Sequence, residues 1–126
     1  MNLKSVFLLN NYGVVLYEKT DTCPPILYHA TLKSSLESIA ANGLCNPKTS
    51  IVFLTSSKYY ISFICSVRKE PVVLRVNTER MLNDGFDFFI DEHRKHVWVT
   101  YHVPPEYIEI ESEAEQQLCE KIENAD

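Results

Sequence analysis

Tyr28-His29-Ala30-Thr31 places a phenol, an imidazole and a hydroxyl within four residues, directly after the apolar pair Ile26-Leu27. A neutral imidazole both donates and accepts hydrogen bonds, and so does a threonine hydroxyl. Where a strand hands over to a helix, such a cluster sits at the edge of an α/β layer, the usual place for a ligand. Taken alone, the same residues also fit a satisfied core histidine and a helix N-cap. Tyr59-Tyr60 is equally two-sided, with one ring for the core and one for a cleft. Other chemistries lack their residues. The chain has only 3 glycines and neither a G-x-G-x-x-G nor a lysine phosphate loop, so Rossmann and P-loop readings fall away. No G-x-S-x-G elbow occurs. His93, His96 and His102 form no helical H-x-x-x-H and have no cysteine partner, so no metal site is expected.

The elements that must hold the cluster follow from periodicity and punctuation. Val6–Leu9 and Val14–Tyr17 flank Asn10–Gly13 and predict a hairpin. Pro24-Pro25 closes a loop, and Ile26–His29 reads as a strand. Thr31 is expected to cap a helix carrying Leu36, Ile39 and Ala40 and ending at Gly43. Ile51–Leu54 is a strand. Ser56 or Ser57 then caps a helix with Tyr60, Phe63, Ile64 and Val67 at i, i+3, i+4 and i+7. Val72–Val76 predicts a strand, Asn77 caps a short helix, and Phe86–Ile90 and Val97–Tyr101 read as strands across a polar turn. Tyr107–Ile110 is a last strand, and Ser112-Glu113-Ala114-Glu115 opens an acidic helix to about residue 124. About seven strands and three or four helices without strict alternation predict an α+β fold.

The 126 residues, 45% of them apolar, suit a single domain over 1–126 with a real core. The net charge of −5 is concentrated in Glu109–Asp126, while Lys33, Lys48, Lys58, Arg68, Lys69, Arg75, Arg80, Arg94 and Lys95 lie mid-chain. This is not the balance of a non-specific duplex binder, yet a basic cleft remains compatible with it. Four scattered cysteines form no zinc or disulfide pattern, and Val6–Leu9 is too short for a leader or a membrane span. A reduced, cytoplasmic setting is expected, with no membrane partner.

The order of segments carries more than any one of them. Leu27-Tyr28-His29-Ala30-Thr31, Asn42-Gly43-Leu44, Val52-Phe53-Leu54-Thr55, Val72-Val73-Leu74-Arg75-Val76, Met81 through Phe89, and Val97-Trp98-Val99-Thr100-Tyr101 through Val103-Pro104-Pro105-Glu106-Tyr107-Ile108 follow one another over about 80 residues. This series resembles the ADP-ribosyltransferase superfamily, and within it the catalytic lobe of the RNA 2′-phosphotransferase (Tpt1/KptA) family. The resemblance implies a split antiparallel sheet with flanking helices that grips NAD as a co-substrate. It makes His29 the histidine on the NAD ribose, with Tyr28, Ala30, Thr31 and Phe53 beside the dinucleotide. One of Tyr59 and Tyr60 would stack on the nicotinamide. Tyr60 joins His29, Arg75 and Glu106 as the expected catalytic set, and Tyr59 the cofactor-binding set. Arg75 and Arg94 are the cations expected nearest a phosphate, and Glu92 competes with Glu106 for the role of catalytic carboxylate.

Three departures set the functional expectation. Only about 25 residues precede Tyr28-His29, Phe53 stands where the family has a second histidine, and Thr49-Ser50 stand where it has basic residues. A 2′-phosphate needs cations. The expectation is therefore an NAD-dependent ADP-ribosyltransferase modifying a nucleic acid, RNA or DNA, as a toxin or antiviral-defence effector, with an antitoxin or regulatory protein as partner. The alternatives are an RNA 2′-phosphotransferase-like enzyme and a degenerate module that binds NAD or a partner without catalysis.

Overall fold

Among the described residues eight strands, all paired antiparallel, form one sheet in the order β1-β2-β6-β7-β4-β3-β5-β8. The strands are β1 (Ser5–Asn10), β2 (Gly13–Thr20), β3 (Ile26–Leu32), β4 (Val52–Thr55), β5 (Pro71–Asn77), β6 (Phe88–Asp91), β7 (Val97–Thr100) and β8 (Ile108–Ile110). Among the described residues there are three α-helices, α1 (Leu36–Asn42), α2 (Lys58–Ser66) and α3 (Thr78–Asn83). The computed structural model describes residues 5–10, 13–91 and 93–111. The centre of the hairpin turn, Glu92 and the acidic helix expected at 112–124 lie outside the described residues. Antiparallel strands with helices set between them make the fold α+β.

Alternation along the strands divides the core between the two faces of the sheet. Leu27, Leu54, Leu74, Val76, Phe88 and Trp98 share one cluster with Met81 of α3, and Leu36 and Ile39 pack against it from the α1 side. Val73 and Ala30 belong to the other face, where Ile61 and Cys65 of α2 cover them. Tyr17, Ile51, Phe89 and Val99 form a third cluster towards the β2–β6 side. Cys65 is fully buried, as its place on the apolar stripe of α2 predicts.

Local chemistry explains most boundaries. Ser57 Oγ accepts from Tyr60 N at 3.0 Å to cap α2, and Asn77 Oδ1 accepts from Arg80 N at 3.0 Å to cap α3. Gly43 ends α1 at φ 77°, where a Cβ would come within 2.1 Å of the Val103 carbonyl oxygen. Only glycine allows that approach, which brings Leu44 into a two-way backbone bridge with Val103. The expected cap at Thr31 is corrected. Thr31 pairs with Val72 and Leu32 with Pro71, so β3 runs on through Leu32. A 3₁₀ turn, Lys33–Ser35, intervenes before α1, whose N-cap is Ser35 with no side-chain bond. Seven consecutive ladder pairs between β3 and β5 outweigh one cap hydrogen bond.

Candidate functional site

The sheet has one weak seam. β3 pairs with β5 along its full length, and β4 pairs with β7 at every residue, but β3 and β4 meet at the single pair Tyr28–Thr55. Beyond that pair the strands part, and a hollow of about 440 Å³ opens between them under α2. Tyr28, His29, Ala30 and Thr31 line it from β3, and Phe53, Leu54 and Thr55 from β4. Tyr60, Ile61 and Ile64 contribute from α2, Arg68 follows that helix, Asn46 lies in the loop before β4, and Arg94 comes from the β6–β7 turn. The volume is in the range of small-molecule and cofactor sites.

His29 spans the opening. Its Nδ1 lies 2.8 Å from the Phe53 carbonyl oxygen. A carbonyl can only accept, so Nδ1 carries the proton, and in the neutral ring Nε2 is left as an acceptor. Burial pushes the imidazole pKa below its ordinary value of 6.5 and the Arg68 charge adds to this, against the opposing pull of the Phe53 carbonyl. The site therefore holds a neutral, oriented acceptor suited to a sugar hydroxyl.

Aromatic and cationic groups surround it. Tyr60 meets the His96 ring edge-on, with centroids 5.3 Å apart. Phe53 is unusually open for a large apolar side chain and has the Tyr17 ring 6.3 Å away in a T-shaped contact. Lys58 Nζ stands 5.7 Å from the centre of the Tyr28 ring. Arg68 and Arg94 bring two guanidinium groups to the lining. Flat apolar walls, a few directed polar groups and two cations fit an anionic ligand that carries a ring, as NAD does.

The remaining predicted site residues lie elsewhere. Tyr59 is 86% exposed and points away from the hollow that its neighbour Tyr60 lines. Arg75 pairs opposite Tyr28 in the sheet but directs its guanidinium to Glu111 Oε1, 3.5 Å away. It lines a separate hollow of about 290 Å³ with Arg80, Glu79, Glu106, Tyr107 and Glu109. Glu106 sits there on a 3₁₀ turn, Pro105–Tyr107, with its side chain exposed. Asn46, Ile64 and Arg68 were not singled out for the site from sequence. They come from a loop, from the inner stripe of α2 and from the turn after it, and no local motif marks them.

A family model described as RNA 2′-phosphotransferase, Tpt1 / KptA family, matches residues 4–102. The chain belongs to this family. Among its relatives is a probable RNA 2′-phosphotransferase of Flavobacterium johnsoniae, 38% identical over 86 residues, which are 68% of this chain and 46% of that protein. A protein of the same description from Streptomyces coelicolor is 37% identical over 87 residues, 69% of this chain and 47% of the relative. A third, from Acaryochloris marina, is 38% identical over 93 residues, 71% and 49% respectively. The chain thus matches about half the length of these relatives.

Membership in the RNA 2′-phosphotransferase family corrects the functional expectation. The relatives carry phosphotransferase names, not those of nucleic-acid ADP-ribosylating toxins or defence effectors, and with that the expected antitoxin partner loses its support. The expectation rested on the missing cations around residues 49–53. Arg68 and Arg94, remote from that stretch in sequence, line the same hollow as Phe53. The family match also begins at residue 4, well ahead of Tyr28. No described helix is long and apolar enough to cross a membrane.

Proposed function

We propose that this protein removes a 2′-phosphate from RNA with NAD as co-substrate, in the hollow between β3 and β4. The observation that carries the reading is the convergence of neutral His29 with two guanidinium groups, Arg68 and Arg94, in a hollow with aromatic walls. NAD supplies an electrophilic ribose carbon whose leaving group is nicotinamide, and a 2′-phosphate is a suitable nucleophile for it. The chain's own residues then have separable roles. His29 Nε2 accepts from a ribose hydroxyl, while its Nδ1 bond to Phe53 prevents the ring from turning. Tyr60 offers a face or edge to the nicotinamide ring, and Tyr28 a second aromatic surface. The Ala30 and Thr31 stretch offers backbone groups and a hydroxyl to the carboxamide. The guanidinium groups gather phosphate oxygens and hold the anionic partners together against their mutual repulsion.

In this reading the β3–β4 seam is the split of an ADP-ribosyltransferase-like sheet. Among the described residues no carboxylate lines the hollow, and Glu92, the candidate nearest Arg94 in sequence, lies outside them. Arg75 and Glu106 take no part in it. A reduced, cytoplasmic setting agrees with Cys23, Cys45 and Cys65, none of which is in a disulfide.

The test is incubation of the purified protein with NAD and an oligoribonucleotide carrying one internal 2′-phosphate. Conversion to the 2′-hydroxyl RNA with release of ADP-ribose 1″,2″-cyclic phosphate, both dependent on NAD, is the expected result. Transfer of ADP-ribose to RNA that lacks a 2′-phosphate, or no NAD binding by calorimetry, would overturn it.

A further inference from the structure

The two guanidinium groups of the hollow are not equivalent. Both are exposed, Arg68 beyond the end of α2 and Arg94 in the β6–β7 turn, and they differ in what holds them. Arg94 is fixed by Asp91, whose carboxylate is almost fully buried at the end of β6. Asp91 Oδ1 accepts from the backbone N–H groups of His93 at 2.8 Å and Arg94 at 3.1 Å. Asp91 Oδ2 accepts from Arg94 Nε at 3.0 Å. One carboxylate therefore shapes the turn and aims the side chain that the turn carries. The Arg94 guanidinium carbon lies 5.8 Å from the centre of the Phe53 ring, on the wall of the hollow. Phe53 is braced in turn by Tyr17, which is buried.

Asp91 engages Nε, and among the described residues neither terminal nitrogen is taken by a carboxylate, so the pair can act as a fork. A guanidinium edge with two parallel donors matches two oxygens of a phosphate. The buried Asp91 offsets the charge of Arg94, but it does not take the terminal donors. A side chain already held by a carboxylate and a ring loses less freedom when it meets a ligand than one without those restraints.

Building on the proposed function, we infer that Arg94, aimed by Asp91 and lying against Phe53, is the pre-positioned phosphate clamp of this hollow. Its ligand is a phosphate group that presents two free oxygens, from either the RNA 2′-phosphate or the NAD pyrophosphate. Asp91 is a positioning residue, and Phe53 is the platform.

The experiment measures binding of three ligands by calorimetry: NAD, an oligoribonucleotide with one 2′-phosphate, and the same oligonucleotide without it. Parent protein is compared with Arg94→Ala, Arg94→Lys, Asp91→Asn and the Arg94→Ala/Asp91→Asn pair, with folding followed by circular dichroism. Loss of a charge-assisted, forked contact predicts that Arg94→Ala weakens the relevant ligand by about 10- to 100-fold. Arg94→Lys keeps the charge but loses the fork and recovers only part of the loss. A loss confined to NAD names the pyrophosphate, and a loss confined to the 2′-phosphorylated strand names the 2′-phosphate. Asp91→Asn weakens the same ligand and adds nothing once Arg94 is alanine. Unchanged affinity of folded Arg94→Ala for every ligand that the parent takes would overturn the clamp and leave the site reading standing. Full recovery with lysine, or additive losses in the pair, would also overturn it. A parent protein that binds none of the three removes the site reading and the clamp together.

Discussion

Two hollows of this protein each contain a pair of arginines, and they differ in what faces those arginines. In the hollow on the far side of β3, Arg75 meets Glu111 and Arg80 meets Asp84. Arg80 also lies over the Tyr107 ring, 4.7 Å from its centre, and Glu79, Glu106 and Glu109 complete the walls. The Tyr107 hydroxyl donates to Asp84 Oδ2 at 2.6 Å, which pushes its pKa up. In the hollow between β3 and β4, no carboxylate among the described residues lines the wall, and the buried acid behind Arg94 engages only its Nε side. The first set of cations is spent on the protein's own acids, and the second is presented to a ligand. A count of basic residues in the sequence treats the two pairs alike. Their use depends on which carboxylates the fold places within reach.

The contrast can be broken experimentally, most strongly at His29. His29→Ala removes the acceptor in the β3–β4 hollow and is expected to cost about 1–3 kcal/mol, roughly 5- to 150-fold in NAD affinity. Titration calorimetry measures it, and an unchanged affinity would move NAD out of this hollow. Protonation should mimic that substitution. Because the folded pKa of His29 lies below the ordinary 6.5, the unfolded chain takes up this proton first as pH falls. The stability linked to neutral His29 is therefore fully present above about pH 6.5. It declines as pH drops from there through the depressed folded pKa. Melting curves of parent and His29→Gln against pH should diverge above 6.5 and converge in acid, and NAD affinity should fall over the same acid range.

Arg68→Ala removes an exposed cation from the same hollow and is expected to weaken phosphate ligands by about three- to tenfold. It should also relieve part of the depression of the His29 pKa, which an imidazole NMR titration reads. The smallest effects belong to the other hollow. Arg75→Ala and Glu106→Gln are each expected to leave NAD affinity and turnover within about twofold, since Arg75 engages Glu111 and Glu106 is exposed. A large loss of turnover in either variant would join the two hollows into one site and restore Arg75 and Glu106 to the chemistry.

Much of the fold was legible from short-range pattern. The caps at Ser57 and Asn77, the glycine stop at Gly43 and the β-branched run of β5 are written in neighbouring residues, because capping, left-handed φ and strand alternation are local physics. Thr31 looks like a cap from its neighbours alone, because the β3–β5 ladder that claims it joins residues about forty positions apart. The expected series at Tyr28–Thr31 and at Phe53 does line one hollow, while Tyr59 on the outer face of α2 does not. A run of two tyrosines cannot show which ring turns inward until the helix is docked on its sheet.

The amino-acid order alone carried the segment series that marks the family, the α+β character and the presence of an imidazole beside a hydroxyl at the end of an apolar run. These depend on residue identity and on contacts within a few positions. It did not carry the electrostatics of the site. Arg68 and Arg94 reach the hollow, and Arg75 is engaged elsewhere, through the strand order β7-β4-β3-β5 and the single pair that joins β4 to β3. Coulomb forces and hydrogen bonds act over a few ångströms of space rather than along the chain, so only the folded sheet decides which charges a ligand meets.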